Sequence, residues 1–197
     1  MRTLAALAGT CVLVAVLAPM ATAQGNWTAV FDGKTLNGFD PIGDANWHVA
    51  DGAIQADTGM GGFLMSKQAY GDFEIKAEFW ADAANSGIFI RRTDPKTINA
   101  ENSYEVNIFD KRPDPSYGTG AIVDFARIHK MQKAAGKWNT LDITAKGNKL
   151  TVVMNGVKTV DVEDNQHAAG YIALQHGAGT IKFRKVQIKK LWFAAQK

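Results

Sequence analysis

DFEIKAEF, residues 72–79, sets Phe73, Ile75, Ala77 and Phe79 in alternation with Asp72, Glu74, Lys76 and Glu78. A period of two with one apolar and one charged face predicts a half-buried β-strand. Downstream, GIFIR at 87–91 alternates Ile88 and Ile90 against Phe89 and Arg91. The segment 103–109 puts Tyr104, Val106 and Ile108 on one face and Glu105, Asn107 and Phe109 on the other. Further strands are expected over 139–145, 149–154, 157–162, 170–175 and 180–191. Asn155-Gly156, between two of these, predicts a two-residue hairpin. Residues 126–135, ARIHKMQKAA, read equally as a short helix or a loop, and 93–102 and 110–120 as long surface loops. With many short strands, Gly-rich turns and no helical stripe of useful length, the expected fold is an all-β sandwich of two antiparallel sheets, because two sheets are needed to bury both apolar faces.

The composition agrees. The 197 residues are 46% hydrophobic and 10% aromatic, enough apolar mass for one core. Basic residues number 22 against 19 acidic, a net charge of +3. That balance lacks the basic stripe of a nucleic-acid binder and suits an uncharged ligand. The single Cys excludes an intramolecular disulfide and a cysteine-ligated zinc site.

Residues 1–23, MRTLAALAGTCVLVAVLAPMATA, begin with Arg2, continue through an apolar run and end in Pro19 and the small-x-small triplet Ala21-Thr22-Ala23. This is the pattern of a secretory signal peptide. A transmembrane anchor would need roughly 20 apolar residues, more than the run supplies. Cleavage near Ala23 would remove the only Cys, Cys11, and leave one domain over 24–197. No other apolar run is long enough to span a membrane, so the expected location is periplasmic or secreted.

The strand pattern singles out one polar face. If Ile88, Ile90, Tyr104, Val106 and Ile108 point to the core, then Phe89, Arg91, Glu105 and Asn107 point away from it. Planar polar groups beside aromatic rings suit a carbohydrate, with hydroxyls bonded by the former and the apolar sugar face covered by the latter. The same pattern also fits an ordinary solvated sheet face. Asp110 ends the Glu105 strand and Asp124 follows TGAIV, so either could pair with Glu105 in acid and base work. Of the four His, His129 is expected on a solvated loop. His176, after Gln175 and before Gly177-Ala178-Gly179, could turn toward a cleft, although strict alternation places it on the core side with Ile172 and Leu174. None of the His has metal-ligand spacing.

Seven blocks carry a resemblance: FDGKTLNGF at 31–39, YGDFEIKAEF at 70–79, NSGIFIR at 85–91, SYEVNIFD at 103–110, TGAIVDF at 119–125, GKWNTLDITAKGNKLTVVMNGV at 136–157 and GYIALQHGAGTIKFRKVQIKKL at 170–191. In this order and spacing the chain resembles the 3-keto-disaccharide hydrolase family over nearly all of its mature length. The resemblance implies a concanavalin A-like jelly-roll sandwich, bacterial export, and cleavage of glycosidic bonds whose sugar carries a ketone at C3. It places the site on the concave sheet, at Arg91, Glu105, Asn107 and Asp110. Many relatives carry Gln where this chain has Asn107, and read Leu-Gln-Asp-His-Gly where this chain passes directly from Gln175 to His176, without an Asp to orient the imidazole.

A C3 ketone acidifies the C2 proton, so the expected reaction is proton abstraction, elimination of the C1 substituent and addition of water. It needs a base, a group to stabilise the enolate and an acid for the leaving oxygen. The expected assignments are Glu105 or His176 as base, Arg91 as stabiliser and Asp110 or Asp124 as acid, with Asn107, Phe89 and Gln175 holding the substrate. No cofactor is required. A divalent metal bridging the ketone and the C2 hydroxyl could serve the same end, though no ligand set compels one. The competing readings are a non-catalytic carbohydrate-binding module of the same fold and a structural envelope domain. The expected partner in the first two is a small-molecule or oligosaccharide ligand; the sequence leaves the oligomeric state open.

Overall fold

A computed structural model describes residues 26–191 apart from Pro95, Ile98, Asn99 and His129. The signal-like segment 1–23 and the position of His129 therefore lie outside the described residues. Among the described residues no helix is long and apolar enough to cross a membrane. The strands, in chain order, are β1 Thr28–Ala29, β2 Phe39–Gly43, β3 His48–Ala50, β4 Ala53–Ala56, β5 Gly62–Tyr70, β6 Phe73–Ala81, β7 Asn85–Arg92, β8 Tyr104–Ile108, β9 Trp138–Lys146, β10 Lys149–Met154, β11 Val157–Glu163, β12 Gly170–Ala178 and β13 Ile181–Lys190.

They form two antiparallel sheets. One runs β11-β10-β9-β6-β13-β4-β3, with β1 added beside β13; the other runs β2-β5-β12-β7-β8. The alternation in β6 has the expected consequence: Phe73, Ile75, Ala77 and Phe79 are buried, and Glu74, Lys76 and Glu78 face outward. Opposite them, Leu64, Ile88, Ile90, Val106, Ile108, Ile172 and Leu174 fill the other half of the core. Asn155 and Gly156 adopt positive φ of 49° and 77° and join β10 to β11 as a primed hairpin turn. The segment 126–135 forms no helix where it is described. The loops 93–102 and 110–120 carry only single 3-10 turns, Ala100–Asn102 and Pro115–Tyr117. The periodicity did not reveal β5, whose GFLMSKQAY sequence mixes apolar and polar residues without alternation.

Candidate active site

The five-stranded sheet turns one face to the core and one outward. Its register draws two rows across the outward face. One row is Ile42, Phe63, Gln175, Gly87 and Asn107; the next is Asp40, Met65, Ala173, Phe89 and Glu105. With strands spaced about 4.8 Å apart, each row is about 19 Å long. Met65, Phe89 and Ala173 form a small apolar cluster separate from the main core, with Ile42, Phe63 and Tyr171 packed against it. In the first row the β7–β8 end is polar and the β2–β5 end apolar; the second row ends at Asp40, which pairs with Lys67 Nζ at 3.8 Å.

Glu105 occupies the polar end. Its side chain lies over Gly87, where a β carbon would stand 3.1 Å from Cγ and 3.2 Å from Oε1. Glycine inside a strand often marks such a close approach. Burial pushes the Glu105 carboxyl up to about 7; the negative charge of Asp124 adds to the rise and the positive charge of Arg112 opposes it. Asp124 is held close because residues 120–123 run along β8. Val123 N donates to Glu105 O (3.0 Å), Asn107 N to Ala121 O (3.0 Å) and Gly120 N to Asn107 O (2.9 Å). Asp124 itself sits exposed at a left-handed position (φ 64°) of the turn between Ile122 and Ala126.

Unpaired polar atoms lie on the same sheet face as the carboxylate. Asn107 is fully buried, and its Nδ2 donates to Tyr117 O at 2.6 Å. A carbonyl can only accept, which fixes the amide orientation and leaves Asn107 Oδ1 without a partner. Gln175 Oε1 is likewise buried and unpartnered. Buried polar atoms are normally satisfied, so two orphan acceptors in one row, on either side of Gly87, mark where ligand hydroxyls would donate.

Arginine is present on this face, but at a different residue from the one expected. Arg91 has φ 52°, and the register against β12 slips between Tyr171 and Ala173. The bulge gives β7 one extra residue and turns Arg91 inward, at 1% exposure. There Arg91 Nη2 pairs with Asp72 Oδ1 (3.0 Å). Its Nε donates to Gly71 O (3.3 Å), and its Nη1 to Gly147 O (2.7 Å) and His167 O (3.2 Å). These bonds tie three turns together and leave Arg91 no part in the outward face. Arg92 takes that face instead. Its Nη1 contacts Met65 Sδ at 3.8 Å, its Nε donates to Thr97 O at 3.1 Å, and its buried Nη2 has no partner.

Two further expectations are corrected. Asp110 accepts from Thr119 Oγ1 (2.6 Å), Ala134 N (2.8 Å) and Ala135 N (3.0 Å), so both of its oxygens brace loops. His176 follows the alternation and points to the inner side, 2% exposed and edge-on to Trp47 at 6.3 Å. Its Nε2 donates to Gly179 O at 2.9 Å, and it cannot reach a ligand above Glu105. The structure thus gathers Phe89, Glu105, Asn107 and Gln175 on one face with Asp124 at its edge, adds Arg92 and Gly87, and withdraws Arg91, Asp110 and His176. The Arg91-Arg92 doublet was the only hint of Arg92 in the sequence, and nothing there marks the bulge that selects it. Among the described residues no group of three or more His, Cys, Asp or Glu side chains could hold a metal ion.

Residues 26–189 match the family model described as the 3-keto-alpha-glucoside-1,2-lyase-like domain. No curated protein sequence matches the chain. Among solved structures, one from Parabacteroides distasonis, provisionally described as a glycosyl hydrolase, superposes with a TM-score of 0.76 at 20% identity, covering 85% of this chain and 94% of that one. A second structure from the same organism, described in the same way, gives 0.72 at 25% identity, covering 84% and 100%. The carbohydrate-binding module CBM66 from Bacillus subtilis gives 0.61 at 16% identity, covering 87% and 100%. These likenesses show an all-β jelly-roll sandwich.

Proposed function

The chain belongs to the 3-keto-alpha-glucoside-1,2-lyase-like domain family, and from that premise we propose that it is an exported enzyme cleaving the glycosidic bond of 3-keto-glucosides, with Glu105 as the base. One observation carries the reading: a carboxyl group raised to about 7, lying in the slot above Gly87 beside the orphan acceptors of Asn107 and Gln175. A base whose pKa lies near the working pH combines the right protonation state with the greatest proton affinity.

The chemistry follows from the ketone. Glu105 takes the proton from C2, and the electron pair moves into the enolate of the C3 ketone. The positive charge of Arg112, which already acts on Glu105, opposes the developing negative charge. The enolate collapses to a C1–C2 double bond as the C1–oxygen bond breaks, and the departing oxygen takes a proton. Asp124, whose negative charge raises the Glu105 carboxyl, stays at the rim as a carboxylate; the departing oxygen takes its proton from the newly protonated Glu105 or from solvent. Water then adds at C1 and a proton returns to C2, completing a net hydrolysis. Asn107 Oδ1 and Gln175 Oε1 accept from sugar hydroxyls, and Arg92 Nη2 donates to a ligand oxygen. The apolar surface of Phe89 backs the site. The signal-like pattern of residues 1–23 supports export.

Glu105→Gln keeps the shape and removes the base. The variant should lose about 10²–10⁴-fold in turnover of a 3-keto-glucoside. Turnover close to that of the wild type removes Glu105 from the role. A wild-type protein that binds glucosides and converts no keto-sugar is a carbohydrate-binding module.

A further inference from the structure

The two rows across the outward face continue past the polar end, and the residues at their other end have no task in the chemistry above. Beyond Gln175, the row passes to Phe63 on β5 and Ile42 on β2. These residues line a cavity of about 340 Å³ together with Met60. Phe63 is held edge-on against Phe89 at 5.3 Å, which fixes the ring as a wall. Met60, at the rim, is 92% exposed, a soft and adaptable side chain with nothing of the protein to pack against. Between this cavity and Glu105 the first row carries Gln175 and Gly87 and the second Ala173 and Phe89, so one continuous sheet face joins the two.

Polarity distinguishes the two ends. Among the described residues that line the cavity, Gln175 and His176 alone carry polar side chains, and His176 turns its ring to the inner side against Trp47. A second sugar there would bring several hydroxyls to a surface with one side-chain acceptor, and each unmatched polar group would carry a desolvation penalty. A flat apolar ring would carry none, and would lie against Phe63 and Met60. Phe63 is two strands from Gly87, about 10 Å across the sheet, which a ring joined to C1 through the glycosidic oxygen can span.

We propose that the Ile42–Met60–Phe63 cavity is the leaving-group subsite, and that it selects 3-keto-glucosides with an aromatic aglycone over those whose leaving group is a second sugar. The inference rests on the reading that the sugar ring sits at Glu105.

Benzyl and methyl α-glucosides test it without turnover, since neither carries the ketone. The subsite predicts that the wild type binds the benzyl glucoside about tenfold more tightly than the methyl, and more tightly than a glucose disaccharide. Phe63→Ala should bring the benzyl affinity down to the methyl value. Met60→Ala, at an exposed position that cannot unfold the protein, should lower the preference several-fold. Equal affinity for the two glucosides, tighter binding of the disaccharide, or a preference that survives both substitutions overturns the proposal. The 3-keto forms of the same compounds separate this from the reaction. A benzyl preference without any conversion leaves the subsite standing and removes the enzymatic reading; conversion with no benzyl preference does the reverse.

Discussion

Glu105 lies over Gly87 so closely that a β carbon on the glycine would stand 3.2 Å from the carboxylate Oε1. The contact crosses two neighbouring strands, and the flat backbone of one makes the slot in which the other's carboxylate rests. Gly87→Ala therefore pushes against Glu105 and against the Val106 backbone oxygen, 3.1 Å from the same β carbon, on the sheet face that points away from the core. We expect kcat to fall about 10²-fold, the loss that follows a displacement of about 1 Å at a reacting group. The melting temperature should change little. A variant with full activity would show that the slot does not position the base.

Burial raises the Glu105 pKa most, and repulsion from the charge of Asp124 adds to it. Asp124→Asn removes the charge from an exposed turn and relieves the repulsion. The acidic limb of the kcat/KM profile should move to lower pH. An unmoved limb would separate Asp124 from Glu105.

The raised carboxyl also carries a stability consequence. In the folded protein Glu105 ionises near 7, against an ordinary 4.5 for the unfolded chain. Below pH 4.5 the proton is bound in both states and the residue is neutral to stability. Between 4.5 and 7 the unfolded chain releases the proton first, and stability falls to a plateau above 7. Glu105→Gln should thus melt higher than the wild type at pH 8, by about 2–4 °C for each kcal/mol relieved in a protein of this size. The advantage should vanish at pH 4. Equal melting temperatures at pH 8 would contradict the raised pKa.

Arg91 and Arg92 are adjacent in sequence and opposite in role. Arg91→Met leaves Asp72 buried without its cation and frees the carbonyls of Gly71, Gly147 and His167. A loss of about 3–5 kcal/mol in stability is expected, as when one member of a buried ion pair is removed. Arg92→Met deletes the unpartnered Nη2 and should raise KM for the sugar more than it lowers the melting temperature. Denaturant unfolding and steady-state kinetics on both variants check the division, and the reverse pattern would refute it.

The sheets were legible because side chains on a strand alternate, and 72–79, 87–91 and 103–109 alternate cleanly. The same rule points Phe89, Glu105 and Asn107 away from the core, and they share one face because β7 and β8 are neighbours. It fails two residues after Phe89, at Arg91, because a bulge inverts the alternation and a positive φ at an arginine leaves no mark in the sequence. His176 shows the opposite case. Alternation put it inward, and the flexible Gly177-Ala178-Gly179 that argued otherwise only completes the end of β12. Asp110 was indistinguishable from a catalytic acid until its two oxygens were seen bonded to residues 119, 134 and 135, long-range partners that no local pattern reports.

The most direct test of Glu105 as the base is the pH dependence of kcat/KM for wild-type protein with a 3-keto-glucoside between pH 5 and 9. The free enzyme is active only with Glu105 ionised, so the rate should rise tenfold per pH unit on the acid side and level off above an inflection near 7. A rate that is flat across this range, or an acid limb that inflects near the ordinary carboxylate value of 4.5, would contradict it.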